Sequence, residues 1–264
     1  MARPTVAFLT DFGTRDHYAG TLKGVVLSVC PDATLVDIGH DIPAHDVLAG
    51  ALELAACYRY FPAGTVFLVV VDPGVGSARR GIAADIGDYR FVAPDNGVLT
   101  AVFHESPPKK VVELTERKYA RPTVSRTFEG RDRFAPAAGF LARGIAIVAL
   151  GKSIKDYQTI DLPRPAVSGT ELSGEVVRVD RFGNLITNID RRSFEQFAGG
   201  GSIAVVVGSR EIPRLVATYA DAPAGELCAL FGSTDHLEVA VNAGDAAATL
   251  KLARGAAAKV RLVP

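Results

Sequence analysis

Apolar residues in the first part of the chain come in short unbroken runs. "TVAFLT", "TLVDI" and "TVFLVVV" each read as a strand buried on both faces. Between them apolar positions recur at helical spacing, from His17 to Cys30, where Pro31 stops the pattern, and again from Ala44 to Phe61. Such alternation predicts βαβ units, so the N-terminal part is expected to be an α/β domain with a mostly parallel sheet. After Asp72 the rhythm changes. "GIAADIG", "YRFVAPDNG" and "KKVVEL" read as short strands around turns, and "RDRFAPAAGFLARG" as one more helix with Gly144 at its end. Prolines and polar residues cluster in "IDLPRPAVSGTELSG", which marks a linker between expected domains at 1–163 and 170–264. Beyond Gly174, "EVVRVD", "NLITNI", "SIAVVVG", "LCALFG", "LEVAVN" and "ATLKL" are short and alternating, with "RSFEQFA" as a helical interruption. That spacing predicts an all-β, barrel-like C-terminal domain.

With 264 residues, 48% of them hydrophobic, the chain has room for two cores. Lys+Arg and Asp+Glu balance at 29 each and no basic run appears, so the electrostatic footprint of a nucleic-acid or anionic-membrane binder is missing. A small molecule is the expected partner. Cys30, Cys57 and Cys228 are scattered and lack metal-binding pair spacing, and they read as core residues in a reducing compartment. The first apolar run meets Asp11 too early for a signal peptide or a membrane span. A soluble cytoplasmic protein is expected.

Candidate chemistry gathers at strand ends. In "VVVDPGVGSARRG" a buried strand runs into Asp72, with Arg79 seven residues on. Gly74 and Gly76 are followed by another strand where a Rossmann fingerprint needs a helix, and no Walker-type lysine is present. An acid at the carboxyl end of a central strand lies where open α/β sheets bind ligands, although turn glycines and a surface ion pair are the plainer reading. In "FLTDFGTRDHYAG" Asp11 ends the first strand and Asp16 follows; a carboxylate there suits a ribose diol, while Asp16 reads equally well as a helix N-cap. "TFEGRDRFAP" crowds Glu129, Arg131, Asp132 and Arg133 around a glycine, a pattern most often found at solvated helix starts. "VDRFGNLITNI" sets Asp180, Phe182 and Asn184 around Gly183, as a hairpin turn would, and in "FGSTDHLEVAVNAG" Ser233 and Asn242 flank a strand.

Taken together, "TDFGTRD", "VVDPGVGSARR", "FEGRD", "DRFGNLITNI" and "LEVAVN" resemble the SAM hydroxide adenosyltransferases, adenosine-forming hydrolases of S-adenosylmethionine (SAM) related to the bacterial fluorinase and chlorinase. The resemblance implies an α/β domain followed by a β-barrel-like domain, and a homotrimer with sites between neighbouring subunits. It also implies attack of water on C5′ of SAM, releasing adenosine and methionine. SAM is then substrate, and neither a cofactor nor a metal is expected. Asp72 and Arg79 match two members of the family's Asp–Arg–His set, but Glu129 stands where the family usually has histidine. By the same resemblance Asp16 and Asp180 suit the substrate ammonium and Ser233 its carboxylate. Asn184, Phe182, Asn242 and Ala243 suit adenine, and His45 aligns with a pocket tryptophan of the fluorinase. Asp72 beside Arg79 is expected to have a lowered pKa. Halogenating relatives carry tyrosine at that place, and two like charges a few ångströms apart cost about 4 kcal/mol at an effective dielectric near 20, so a carboxylate there disfavours halide. A binder that has lost turnover with the histidine is the alternative from another class.

Overall fold

A computed structural model describes residues 3–263. The chain divides into two compact units after Leu162. The first contains β1 (Thr5–Thr10), α1 (Tyr18–Val29), β2 (Thr34–Gly39), α2 (Val47–Cys57), β3 (Val66–Val70), β4 (Gly81–Ile86), β5 (Tyr89–Pro94), α3 (Thr100–Glu105), β6 (Lys110–Leu114), α4 (Ala135–Ala142) and β7 (Gly151–Ser153). Its sheet runs β2-β1-β3-β5-β4-β6-β7. Alternate residues of the central strands go to opposite faces. Val6, Phe8, Leu68 and Val70 pack with Leu22, Val26 and Leu141 of α1 and α4, while Ala7, Leu9, Phe67 and Val69 pack with Leu54 of α2 and Val102 of α3.

The sheet is mixed, not mostly parallel. β2, β1, β3 and β5 pair in parallel, but β5–β4, β4–β6 and β6–β7 are antiparallel. The cause is local: β4 and β5 are joined only by Gly87 and Asp88, with Gly87 at φ +56°. A two-residue connection closes a hairpin and cannot make a parallel crossover.

The second unit contains β8 (Ala166–Ser168), β9 (Glu171–Val179), β10 (Leu185–Asp190), α5 (Arg191–Ala198), β11 (Ile203–Val207), β12 (Arg210–Ile212), β13 (Leu227–Phe231), β14 (His236–Val241), α6 (Ala246–Leu250) and β15 (Ala257–Leu262). Its antiparallel sheet runs β12-β11-β15-β9-β10-β14-β13, with β8 also on β9. β9 turns the corner, pairing with β15 through Glu171–Glu175 and with β10 through Val176–Val179. The chain after β12 lies on β13, where Val216 N–H donates to Ala229 O and Ala229 N–H to Arg214 O, so the barrel is nearly closed. "ATLKL", expected as a strand, is mostly α6: Asp245 accepts the Ala248 amide as an N-cap, and an alanine run follows. Among the described residues no helix is long and apolar enough to cross a membrane.

Candidate active site

The parallel register of β1 and β3 pairs Thr10 with Val70, so the segments carrying Asp11 and Asp72 leave the sheet side by side. The Asn96 amide donates to Val71 O at 2.9 Å and fastens the chain just before Asp72. A tight loop follows, in which Val75 N–H donates to Asp72 O and the Ser77 hydroxyl to Gly74 O. It returns Arg79 to Asp72, with Nε donating to Oδ1 at 2.8 Å and Nη2 to Oδ2 at 2.5 Å. Only 6% of the Asp72 side chain and 9% of Arg79 are exposed, so this is no surface pair. The guanidinium also lies 5.2 Å from the centre of the Phe134 ring, within cation–π range.

Glu129 completes the arrangement. Its Oε2 pairs with Arg79 Nη2 and its Oε1 with Arg133 Nη1, the latter at 3.1 Å, while Arg133 Nη2 donates to Leu114 O at 2.7 Å. Two carboxylates and two guanidiniums therefore alternate in the order Asp72, Arg79, Glu129, Arg133. Gly76 brings the two segments together: its φ is +78°, a Cβ there would lie 2.5 Å from Arg126 O, and Arg126 Nη2 donates to Gly76 O. Residues Gly130–Phe134 then form a π-helical turn leading into α4. The expectation of a solvated helix start fails here, because Asp132 is fully buried. It accepts from Arg131 at 2.7 Å and from Ser125 N–H at 2.8 Å.

Burial pushes the Asp72 carboxyl above its ordinary value, outweighing the opposing bonds and charge of Arg79, and the negative Glu129 pushes the same way. The lowered pKa expected from the Arg79 pairing alone is thus overturned. In a site this enclosed, removing the carboxylate from water costs more than one shared guanidinium returns.

Asp11 is half-buried and accepts the His45 amide at 2.9 Å, with His45 itself exposed at φ +68°. Asp16 is exposed and does not cap α1, whose N-cap is His17 with no side-chain cap bond. In the second unit Asp180 and Asn184 bond each other inside one turn. Asp180 Oδ1 accepts the Phe182 and Asn184 amides, and Oδ2 accepts the Asn184 side-chain amide at 3.0 Å. Phe182 at the tip is 74% exposed. Ser233 is exposed in the turn before β14. Asn242, just after that strand, donates to Ala222 O at 2.7 Å, and Ala243 beside it has φ +56°.

Sequence reasoning missed Arg133 and Phe134 as partners of this cluster, although Glu129 and Arg133 stand four apart, the spacing of a helical ion pair. It also missed a polar chain that starts at buried Thr10, next to Asp11 in sequence. The Thr10 hydroxyl meets His40 Nδ1 at 2.9 Å, His40 Nε2 meets Asp37 at 3.0 Å, and Asp37 pairs with Lys23. No spacing rule links residues 30 apart on adjacent strands.

Residues 6–151 match the SAM hydroxide adenosyltransferase N-terminal domain, and residues 174–259 match the C-terminal domain. The chain belongs to the SAM hydroxide adenosyltransferase family. It is 39% identical over 258 residues to an (R)-S-adenosyl-L-methionine hydrolase of Thermus thermophilus, covering 95% of this chain and 96% of that one. It is 32% identical over 285 residues to a fluorinase of Actinoplanes, covering 96% and 95%. An uncharacterised conserved protein of Thermotoga maritima shares the fold with a TM-score of 0.92 at 36% identity, over 97% of this chain and 99% of that one. Within the SAM hydroxide adenosyltransferases, then, this chain carries a buried Asp72–Arg79 pair that a second acid and a second arginine extend.

Proposed function

We propose that this protein hydrolyses S-adenosyl-L-methionine, in its (R)-sulfonium form, to adenosine and L-methionine. The observation that carries the reading is the buried Asp72–Arg79–Glu129 cluster at the carboxyl end of the sheet, in a chain 39% identical to an (R)-S-adenosyl-L-methionine hydrolase. The leaving group is a sulfonium, which departs as a neutral thioether and needs no proton. The enzyme's task is to aim one water at C5′ opposite the C–S bond and to remove its proton. The water oxygen bonds to C5′, sulfur keeps the electron pair of the broken bond, and the proton passes to a carboxylate. Alignment of this kind is worth up to about 7–11 kcal/mol, and a positioned base a further factor of about 10²–10⁴ in rate.

Asp72 and Glu129 hold the water, and Arg79 between them keeps the two carboxylates from repelling each other apart. Asp11 and Asp16 face the ribose and ammonium; Asp180 and Ser233 take the amino-acid end; Asn184, Phe182, Asn242 and Ala243 take adenine. The functional unit is a homotrimer, with no cofactor or metal, so a chelator leaves turnover unchanged. Halide chemistry is disfavoured by the carboxylate at position 72.

Incubation of purified protein with each SAM epimer, followed by chromatography, tests the reading. Adenosine is expected from the (R) form at a rate abolished by Asp72→Ala and reduced at least about a hundredfold by Glu129→Gln. Chloride or fluoride is expected to divert no product. Tight adenosine binding without turnover by the parent would establish a non-catalytic binder instead.

A further inference from the structure

The cluster holds equal numbers of carboxylates and guanidiniums, but they are unequally shared. Arg79 is divided between Asp72 and Glu129, whereas among the described residues Arg133 pairs with no carboxylate but Glu129 and is itself anchored on the Leu114 carbonyl. The charged groups facing Asp72 are Arg79 and Glu129; those facing Glu129 are Arg79, Arg133 and, beyond Arg79, Asp72. Asp72 is also the more deeply enclosed, at 6% exposure against 13% for Glu129. A second acid adds one negative charge to a buried site, and a second cation four residues further along the chain answers it.

We propose that Arg133 is a positioning residue for this reaction: it pins the Glu129 side chain against Arg79, so that the proton of the attacking water goes to Asp72. The inference deepens the hydrolase reading above and rests on it. The roles of the two acids then separate. Glu129 accepts a hydrogen bond from the water and orients it, while Asp72 receives the proton as the oxygen–C5′ bond forms and the sulfur departs as methionine's thioether. The raised pKa of Asp72, caused first by its burial, agrees with this division. Glu129 has a guanidinium on each of its oxygens, whereas Asp72 has Arg79 alone. Arg133 also explains how the segment carries an acid here at all, since two buried carboxylates sharing a single guanidinium would take up a proton between them and lose one of the two functions.

The test is a double-mutant cycle read as a pH profile. Arg133→Met is expected to lower kcat by about tenfold to a hundredfold and to move the acidic limb of the profile to higher pH, with little change in KM. Arg133→Lys, which keeps the charge, is expected to restore most of the loss. In a Glu129→Gln background, where no second charge needs an answer, Arg133→Met is expected to cost almost nothing more. An equal loss in both backgrounds, or an unmoved pH profile, overturns the proposal and leaves Arg133 as a mere brace on Leu114. Carboxyl NMR reads the same division without turnover: Asp72 is expected to take up its proton above the ordinary value of 3.8 in the parent and at higher pH still in Arg133→Met, and an Asp72 titration that Arg133→Met leaves unmoved overturns it. A parent that releases no adenosine defeats the hydrolase reading, while the Asp72 titration still decides whether Arg133 and Arg79 partition the charge as stated.

Discussion

Asp72 shows how one side chain is tuned against its nearest partner. Bidentate pairing with Arg79 alone would hold a carboxyl down, yet burial and the neighbouring Glu129 carry it upward. The sign of the consequence for stability follows from linkage. An acid whose folded pKa is raised binds its proton better in the folded chain, so its contribution to stability is greatest below the unfolded value and is lost as pH rises through the folded one. The stability of the parent relative to Asp72→Asn is therefore expected to fall as pH climbs upward from the ordinary value of 3.8. Thermal melts of both proteins across that range check this, and a difference that grows with pH would show that pairing, not burial, governs the group. The residue suited to take a proton from water is thus one the fold holds at a cost when ionised, a trade common at catalytic positions.

At the scale of elements, the segment from Arg121 to Phe134 decides whether Glu129 meets Arg79 at all. Asp132 is its internal fastener: fully buried, it accepts from Ser125 N–H and from the adjacent Arg131, and it forms an ion pair with Arg121 at 3.3 Å. Burial opposes its ionised form, but those bonds and charges prevail and hold its pKa below the ordinary value. Its stabilising contribution is therefore complete above the unfolded pKa and lost as pH falls below 3.8. Replacement of Asp132 by Asn is expected to destabilise the chain by about 1–3 kcal/mol at neutral pH, since both arginines reach solvent and are not stranded. Denaturant titration at pH 7 and pH 3 checks it, with the gap to the parent narrowing at the lower pH. This segment was only partly legible in the sequence. The strand–helix alternation up to Asp72 was clear because β1 and β3 are buried on both faces and read as continuous apolar runs. The antiparallel half of the sheet was visible as short strands, but its direction depends on a two-residue turn at Gly87 that composition alone does not weigh. Asp72, Arg79 and Glu129 stand out as motif residues, and Arg133 appears in the same charge cluster but without a role in the site. Phe134 beside Arg79 and the Gly76–Arg126 contact do not stand out, because they arise from a π-helical turn meeting a distant loop, which no local periodicity encodes.

For the whole molecule, the remaining issue is which chain completes which site. The acids proposed to hold the water stand in the first unit of the chain, and the residues proposed for adenine and for the amino-acid end stand mostly in the second. Phe182, proposed to cover the flat adenine, is 74% exposed in the single chain. Both facts suit a closed cyclic assembly in which neighbouring subunits contribute different residues to each site. Sedimentation is expected to give three times the 27.8 kDa chain mass. Complementation goes further than mass. Asp72→Ala and Asn184→Ala chains, each inactive alone, are to be unfolded, mixed in equal amounts and refolded together. If every site draws its acids from one chain and its adenine contacts from the next, random assembly gives about a quarter of the sites both intact halves, and about a quarter of the parent activity returns. If each chain instead completes its own site, every site keeps one lesion and the mixture stays inactive however well it assembles. Recovered adenosine release thus separates a shared site from a self-sufficient one, even where the two assemblies have the same mass.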